Sequence, residues 1–172
     1  TSFLSGMPVR AAFFAAKPTA PKADDRLTLM IVGGSLGAAI FAELVPDAVA
    51  RLDDDLRARL QIVQQCRAEQ CDALAVRYRT IGMDADIRPF FDDMPAQLAA
   101  STLVISRAGA SSVAELAAAG RAAILIPFAA AMDDHQTANA RQLETAGGGR
   151  CLAEAGLDAD SLAAVILSLI HI

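Results

Sequence analysis

"LTLMIVGGSLGAAIFAELVPDAVARL", residues 27–52, sets the architecture. Its first six residues are almost all apolar, without the in–out alternation of a strand wetted on one face. They predict a strand buried on both sides. The glycine turn "GGSLG" follows, and then apolar residues recur at helical spacing, with Pro46 predicted to kink the helix. Strand, glycine turn and amphipathic helix make the first unit of a layered α/β domain.

The same unit recurs outward from this stretch. "LQIVQQC" predicts a second strand and "AEQCDALAVRYRTIG" a second helix ending at Gly82. "ADIRPFF" reads as a third strand or edge. "DDMPAQLAAS" reads as a short helix capped by Asp93, with Pro95 in its first turn. "TLVISRAG" and "AAILIPF" predict the fourth and fifth strands. "SSVAELAAAG" and "DHQTANARQLETAG" are the helices after them. "RCLAEAG" is a candidate sixth strand, and "DADSLAAVILSLI" a last helix with an aspartate cap. Strands alternating with helices at short spacing predict a Rossmann-like, doubly wound parallel sheet over residues 27–172. Residues 1–26 read as a linker and surface segment, because alanine, proline and lysine mix over 11–26 without a period. Ligands of such sheets bind beyond the carboxyl ends of the strands.

Composition narrows the function classes. The 172 residues are 54% hydrophobic and 20% charged, which excludes a disordered chain. A net charge of −5 shows no electrostatic footprint for nucleic acid. The apolar run at 122–132 is too short to span a bilayer and contains Pro127. No secretory signal pattern opens the chain, so the expected compartment is the cytosol. Cys66, Cys71 and Cys151 form no metal signature, and an odd count argues for reduced thiols over a disulfide framework. With two histidines, His135 and His171, a histidine-rich metal site is out of reach, and no metal or cofactor is expected.

Four stretches carry candidate chemistry. In "GGSLGA", Gly33, Gly34 and Gly37 allow a phosphate to approach backbone at a helix start, and Ser35 adds a hydroxyl. A tight turn without ligand explains them equally well. The spacing is not GxGxxG, and the second strand ends in Gln and Cys where a dinucleotide site needs an acid. In "SRAGASSVAE", Gly109 offers positive φ or close backbone approach. Ala110, Ser111, Ser112, Val113 and Ala114 open a helix whose free N–H groups suit an anion. Ser112 and Glu115 stand at capping-box spacing, and spacing alone favours that structural role for Glu115 over ribose binding. In "DDHQTANA", Gln136 and Asn139 share a helix face and suit sugar hydroxyls. His135 is a weaker general-base candidate, with only Asp133 or Asp134 to orient it. Of Phe90 and Phe91, core packing is one reading and flanking a planar base the other. The run Asp53–Asp55 reads as a solvated turn or helix cap rather than a metal site.

Taken in order, "GGSLGA", "FFDDM", "SRAGASSVAELAAAG" and "DDHQTANA" resemble the carboxyl-terminal domain of the MurG family of peptidoglycan glycosyltransferases. The resemblance covers about residues 6–169. It implies one domain of a two-domain GT-B enzyme and a UDP-N-acetylglucosamine donor site. The implied reaction is inverting transfer of N-acetylglucosamine to the C4 hydroxyl of the muramyl sugar of lipid I, an undecaprenyl-linked acceptor. Arg10 matches the arginine of the family's "GNPVR", although Met7 replaces its asparagine. Ser35 is implied on the diphosphate side. Phe91 stands where backbone pairs with uracil. Residues Ala110 to Ala114 take the phosphate, Glu115 the ribose and Gln136 the sugar. Gly34, Gly109, His135 and Asn139 are implied as pocket neighbours. No catalytic residue is expected in this chain. The general base, the acceptor site and the membrane-facing surface belong to an amino-terminal domain that the chain lacks, and the end at "SLIHI" is early for the family. The whole enzyme is expected at the cytoplasmic face of the inner membrane, and this piece is expected to be soluble.

Three other readings stay open on the residues: another GT-B UDP-sugar transferase, a nucleotide-binding domain of an NAD-dependent oxidoreductase, and a binding module whose glycine turns are structural.

Overall fold

The structure, a computed structural model, describes residues 6–15, 26–34, 39–128 and 134–170. Six strands form one sheet: β1 (Leu27–Val32), β2 (Leu60–Gln65), β3 (Ala85–Arg88), β4 (Leu103–Ser106), β5 (Ala123–Leu125) and β6 (Gly149–Cys151). Their order is β3-β2-β1-β4-β5-β6, and every pairing is parallel. The chain winds outward from β1 in one direction and then, after β3, outward in the other. The order reverses between β1 and β4, which creates a crevice at their carboxyl ends.

The connections are α1 (Ala39–Val49), α2 (Asp54–Arg59), α3 (Cys71–Thr80), α4 (Met94–Ala100), α5 (Ala110–Ala119), α6 (His135–Thr145) and α7 (Ala159–Ile170). They cover both faces. On one face, Leu27, Leu29 and Ile31 pack with Phe41 and Val45 of α1, Leu74 and Tyr78 of α3, and Leu162 and Ile166 of α7. On the other, Met30, Val63 and Val104 pack with Leu98 of α4, Leu116 of α5, and Ala140 and Leu143 of α6. Burial on both faces is why β1 and β4 lack alternation in the sequence.

The expected caps meet different fates. Asp53 caps α2, its carboxylate accepting the Leu56 N–H at 2.7 Å, so the acidic run is a helix start. Asp158 accepts the Ser161 N–H at 2.8 Å in front of α7. Asp93 stands at the start of α4, but its carboxylate accepts from Gln97 Nε2 at 2.8 Å instead of capping a backbone N–H. α1 is helical on both sides of Pro46. The segment before β1 is less superficial than its composition predicts. Ala11–Phe13 forms a 3-10 turn, and Phe13 is fully buried in the second core, tying the turn to α4 and α5.

One contact fixes the sheet's outer edge. A Cβ built on Gly149 would lie 1.9 Å from the Ala123 carbonyl oxygen of the neighbouring strand. Backbone cannot yield there without opening the β5–β6 pairing. Gly149→Ala is therefore expected to destabilise the fold by about 1–3 kcal/mol, in the range of overpacked sites. Urea unfolding would show a lower midpoint with little change in slope.

Candidate functional site

The loops at the carboxyl ends of β1, β3, β4 and β5 converge on one edge of the sheet. After β1, Gly33 is buried and Gly34 has φ +79, a conformation that strongly favours glycine. Ser35, the hydroxyl of this turn, lies outside the described residues, as does Gly37.

After β4 the chain passes through Arg107, Ala108 and Gly109 directly into α5. Here the structure corrects two expectations. Gly109, not Ser112, is the residue before the helix, and the first helical bond runs from Val113 N–H to the Gly109 carbonyl at 3.0 Å. Ser112 and Glu115 both lie inside the helix, so they form no capping box. A glycine turns the chain three residues early, and Ala110 and Ser111 extend the helix toward the sheet edge. Gly109 also has φ −60, so it does not serve as a positive-φ residue. A Cβ there would meet only Ser112 Oγ, at 3.8 Å. Among the described residues nothing demands glycine there. The N–H groups of Ala110, Ser111 and Ser112 precede the first i→i−4 donor, and together with the helix dipole such a helix start has the chemistry that suits an anion.

Freed from a cap, Glu115 projects from the next turn and meets Arg10. Its Oε1 is 3.9 Å from Arg10 Nη2, with the arginine side chain 66% exposed and the glutamate 28%. Arg10 also lies over the Phe13 ring at 4.9 Å. Burial pushes the Glu115 carboxyl above its ordinary value, and the Arg10 charge opposes that shift. Two residues 105 positions apart, singled out separately in the sequence, thus share one corner of the site.

After β3, Phe90 is 67% exposed whereas Phe91 is 2% exposed and packs into the second core. The Arg88 guanidinium lies over the Phe91 ring at 5.3 Å. The Phe91 ring is therefore a core side chain and does not flank a planar base. Gln65 Nε2 holds this loop by donating to the Pro89 carbonyl at 3.2 Å. Gln64 and Gln65 close β2 where a dinucleotide site would carry an acid.

After β5, Phe128 N–H donates to Gln136 Oε1 at 3.0 Å. Asn139 Nδ2 donates to the Ala108 carbonyl at 3.1 Å, joining α6 to the turn before α5. His135 is exposed at the first position of α6, and Asp133 lies outside the described residues. Among the described residues no group of three or more His, Cys, Asp and Glu side chains is placed to hold a metal ion.

Sequence reasoning gave Arg107 no role, and the structure puts it at the centre of the loop cluster. Its Nη1 donates to the carbonyls of Ile126 at 3.1 Å and Pro127 at 3.2 Å, and to Glu154 Oε2 at 2.7 Å. The guanidinium lies against the rings of Phe41 and Phe128, at 5.2 and 5.3 Å. Its signal in the sequence was an arginine at the end of an apolar strand, where a charge needs partners. Glu154 and Phe41 carried no local signal, because they join only through the fold.

Comparisons with known proteins show the family and the fold. The sequence profile of the Glycosyltransferase family 28 C-terminal domain matches residues 28–171. A UDP-N-acetylglucosamine--N-acetylmuramyl-(pentapeptide) pyrophosphoryl-undecaprenol N-acetylglucosamine transferase of Paramagnetospirillum magneticum is 47% identical over 96% of this chain and 45% of its own length. The identically named protein of Rhodospirillum rubrum is 49% identical over 92% of this chain and 42% of its own. The crystal structure of Acinetobacter baumannii MurG superposes with a TM-score of 0.78 and 35% identity, over 87% of this chain and 42% of that one. The chain thus spans less than half the length of these relatives. With its six parallel strands, its reversed strand order and the profile match over most of its length, the chain belongs to glycosyltransferase family 28, as the Rossmann-like carboxyl-terminal domain of the GT-B architecture.

Proposed function

We propose that this chain is the UDP-N-acetylglucosamine-binding half of an enzyme that transfers N-acetylglucosamine to lipid I, forming lipid II for peptidoglycan. The observation that carries the reading is the juxtaposition at α5. A helix start with free N–H groups lies one turn from a carboxylate that makes no cap and is paired with Arg10. An anion site beside a hydroxyl-binding carboxylate fits a diphosphate joined to ribose. The names of the relatives supply the sugar and the acceptor.

In this reading the N–H groups of Ala110, Ser111 and Ser112 meet the diphosphate, and Ser35 contacts it from the glycine turn. Glu115 accepts the ribose hydroxyls, with Arg10 beside it. Phe91 presents backbone to uracil. Gln136 keeps its Nε2 for the sugar while its Oε1 holds Phe128, and Asn139, His135, Gly34 and Gly109 shape the pocket. The reaction is an inverting displacement. A base in the half of the enzyme outside this chain takes the proton from the muramyl C4 hydroxyl. That oxygen attacks the anomeric carbon, and UDP leaves with the bonding electrons. Negative charge grows on the diphosphate as the bond breaks, and the dipoles of α5 are already oriented toward it. This chain thus stabilises the leaving group, and residues 1–26 link it to the acceptor half. The whole enzyme works at a membrane face through that other half. No helix among the described residues is long and apolar enough to cross a membrane.

Calorimetric titration tests the assignment. UDP is expected to bind with one-to-one stoichiometry, and NADH is expected not to compete. Binding of NADH in place of UDP would overturn it.

A further inference from the structure

A pair of thiols stands outside the chemistry described above. Cys66 follows β2 and is 4% exposed, and Cys71 opens α3 and is half-buried. The stretch between them, "RAEQ", includes a 3-10 turn over Ala68–Gln70 that folds the chain back on itself. The turn brings the two sulfurs to 3.2 Å, with neither in a disulfide. The loop is anchored on the strand side, where Cys66 N–H donates to the Arg88 carbonyl at 3.2 Å.

We propose that Cys66 and Cys71 are a redox modification site, closing reversibly into an intramolecular disulfide on reaction with a small-molecule disulfide such as glutathione disulfide. A disulfide needs its sulfurs about 2.05 Å apart, so each has only a fraction of an ångström to travel. The short loop removes little chain entropy on closure, which suits a bond that is made and broken rather than a permanent staple.

The steps follow from exposure. Cys71 is the accessible sulfur, and its thiolate attacks one sulfur of glutathione disulfide. The glutathione disulfide bond breaks, a mixed disulfide forms on Cys71, and one glutathione thiolate leaves. Cys66 then gives its proton to solvent and attacks the Cys71 sulfur, expelling the second glutathione thiolate. Two protein thiols lose two electrons and two protons, and one glutathione disulfide becomes two glutathiones. Burial, then the hydrogen bond and charge of Cys71, push the Cys66 thiol up to about 12. Cys66 is therefore poor as the first attacker and suited to the second step, where its target sits beside it. Cys151 supplies the contrast. It lies in β6, four strand positions from β2, roughly 19 Å away at the usual strand spacing, and cannot reach either sulfur.

Trypsin cuts after Arg67, between the two cysteines, which gives a test that needs no variant. The folded chain is incubated with glutathione disulfide, alkylated and digested without reduction. The expected product is residues 60–67 linked to residues 68–77, separating on reduction, with denatured thiols falling from three to one. In Cys66→Ser a glutathione adduct is expected to persist on Cys71, and Cys151→Ser is expected to leave the linkage unchanged. Three remaining thiols, a persistent adduct on wild-type Cys71, or cross-linking between chains would each overturn the proposal. None of these outcomes depends on UDP binding.

Discussion

Glu115→Ala is expected to weaken UDP binding by roughly tenfold to a hundredfold while leaving the fold almost as stable as before. The loss corresponds to hydrogen bonds between a charged acceptor and the ribose hydroxyls, about 1.5–3 kcal/mol, and each 1.4 kcal/mol is about a factor of ten. The stability side follows from what Glu115 does without a ligand. Its contact with Arg10 is long, at 3.9 Å, and the arginine side chain is 66% exposed, so the pair contributes on the order of 0.5 kcal/mol or less. Burial already disfavours its charge, so removing that charge also relieves a desolvation cost. A residue that capped α5 would behave in the opposite way, with lost stability of about 1 kcal/mol. Titration and thermal melts on the same variant separate the two roles, and an unchanged UDP affinity would remove Glu115 from the site.

The raised Glu115 carboxyl also sets a pH dependence. As pH falls, it takes up its proton before an ordinary carboxyl would, and the protonated form loses acceptor capacity. UDP affinity is expected to decline on the acid side, starting at a higher pH than an ordinary carboxylate would set. In Glu115→Gln, already neutral, that part of the decline is expected to vanish.

Much of the fold was legible because the dominant signals are local. Strands buried on both faces lose alternation, so "LTLMIV" and "TLVIS" declare a parallel sheet by themselves. Asp53 and Asp158 were readable as caps because a cap involves only its own first turn. Ser112 misled for the same reason. It stands three residues before a glutamate, but whether a helix starts there depends on whether the preceding glycine has already turned the chain. Gly109 had, and "ASS" joined the helix. Phe13 misled in the other direction, since two adjacent phenylalanines among alanines carry no period, and that Phe13 is buried while Phe14 is exposed depends on α4 and α5. The site divides along the same line. Residues within one motif could be nominated from spacing, whereas the meeting of Arg10 with Glu115, and of Arg107 with Glu154, is made by the order of the strands.

Arg107→Ala is the substitution expected to cost the fold most, and the reason is geometric. The guanidinium joins the segments that follow β4, β5 and β6: its own, the Ile126 and Pro127 carbonyls, and the Glu154 carboxylate. With side-chain exposures of 12% and 21%, the Arg107–Glu154 pair lies between the exposed case, worth under about 1 kcal/mol, and the fully buried case, where losing one partner costs about 3–5 kcal/mol. A loss of about 2–4 kcal/mol is expected, lowering the melting temperature by roughly 4–16 °C for a domain of this size. Arg107→Lys is expected to recover only part of it, since a lysine ammonium can stand in for Nη1 beside Glu154 and the carbonyls but supplies no flat face to lie over Phe41 and Phe128. A double-mutant cycle with Glu154→Gln isolates the ion pair: the two losses are expected to fall short of additivity by about 1–2 kcal/mol. Because Phe128 is also held by Gln136, loosening Arg107 frees the loop bonded to the glutamine proposed to meet the sugar. UDP-N-acetylglucosamine is therefore expected to lose more affinity than UDP in Arg107→Lys. Equal losses would confine Arg107 to the fold and take it out of the arrangement of the site.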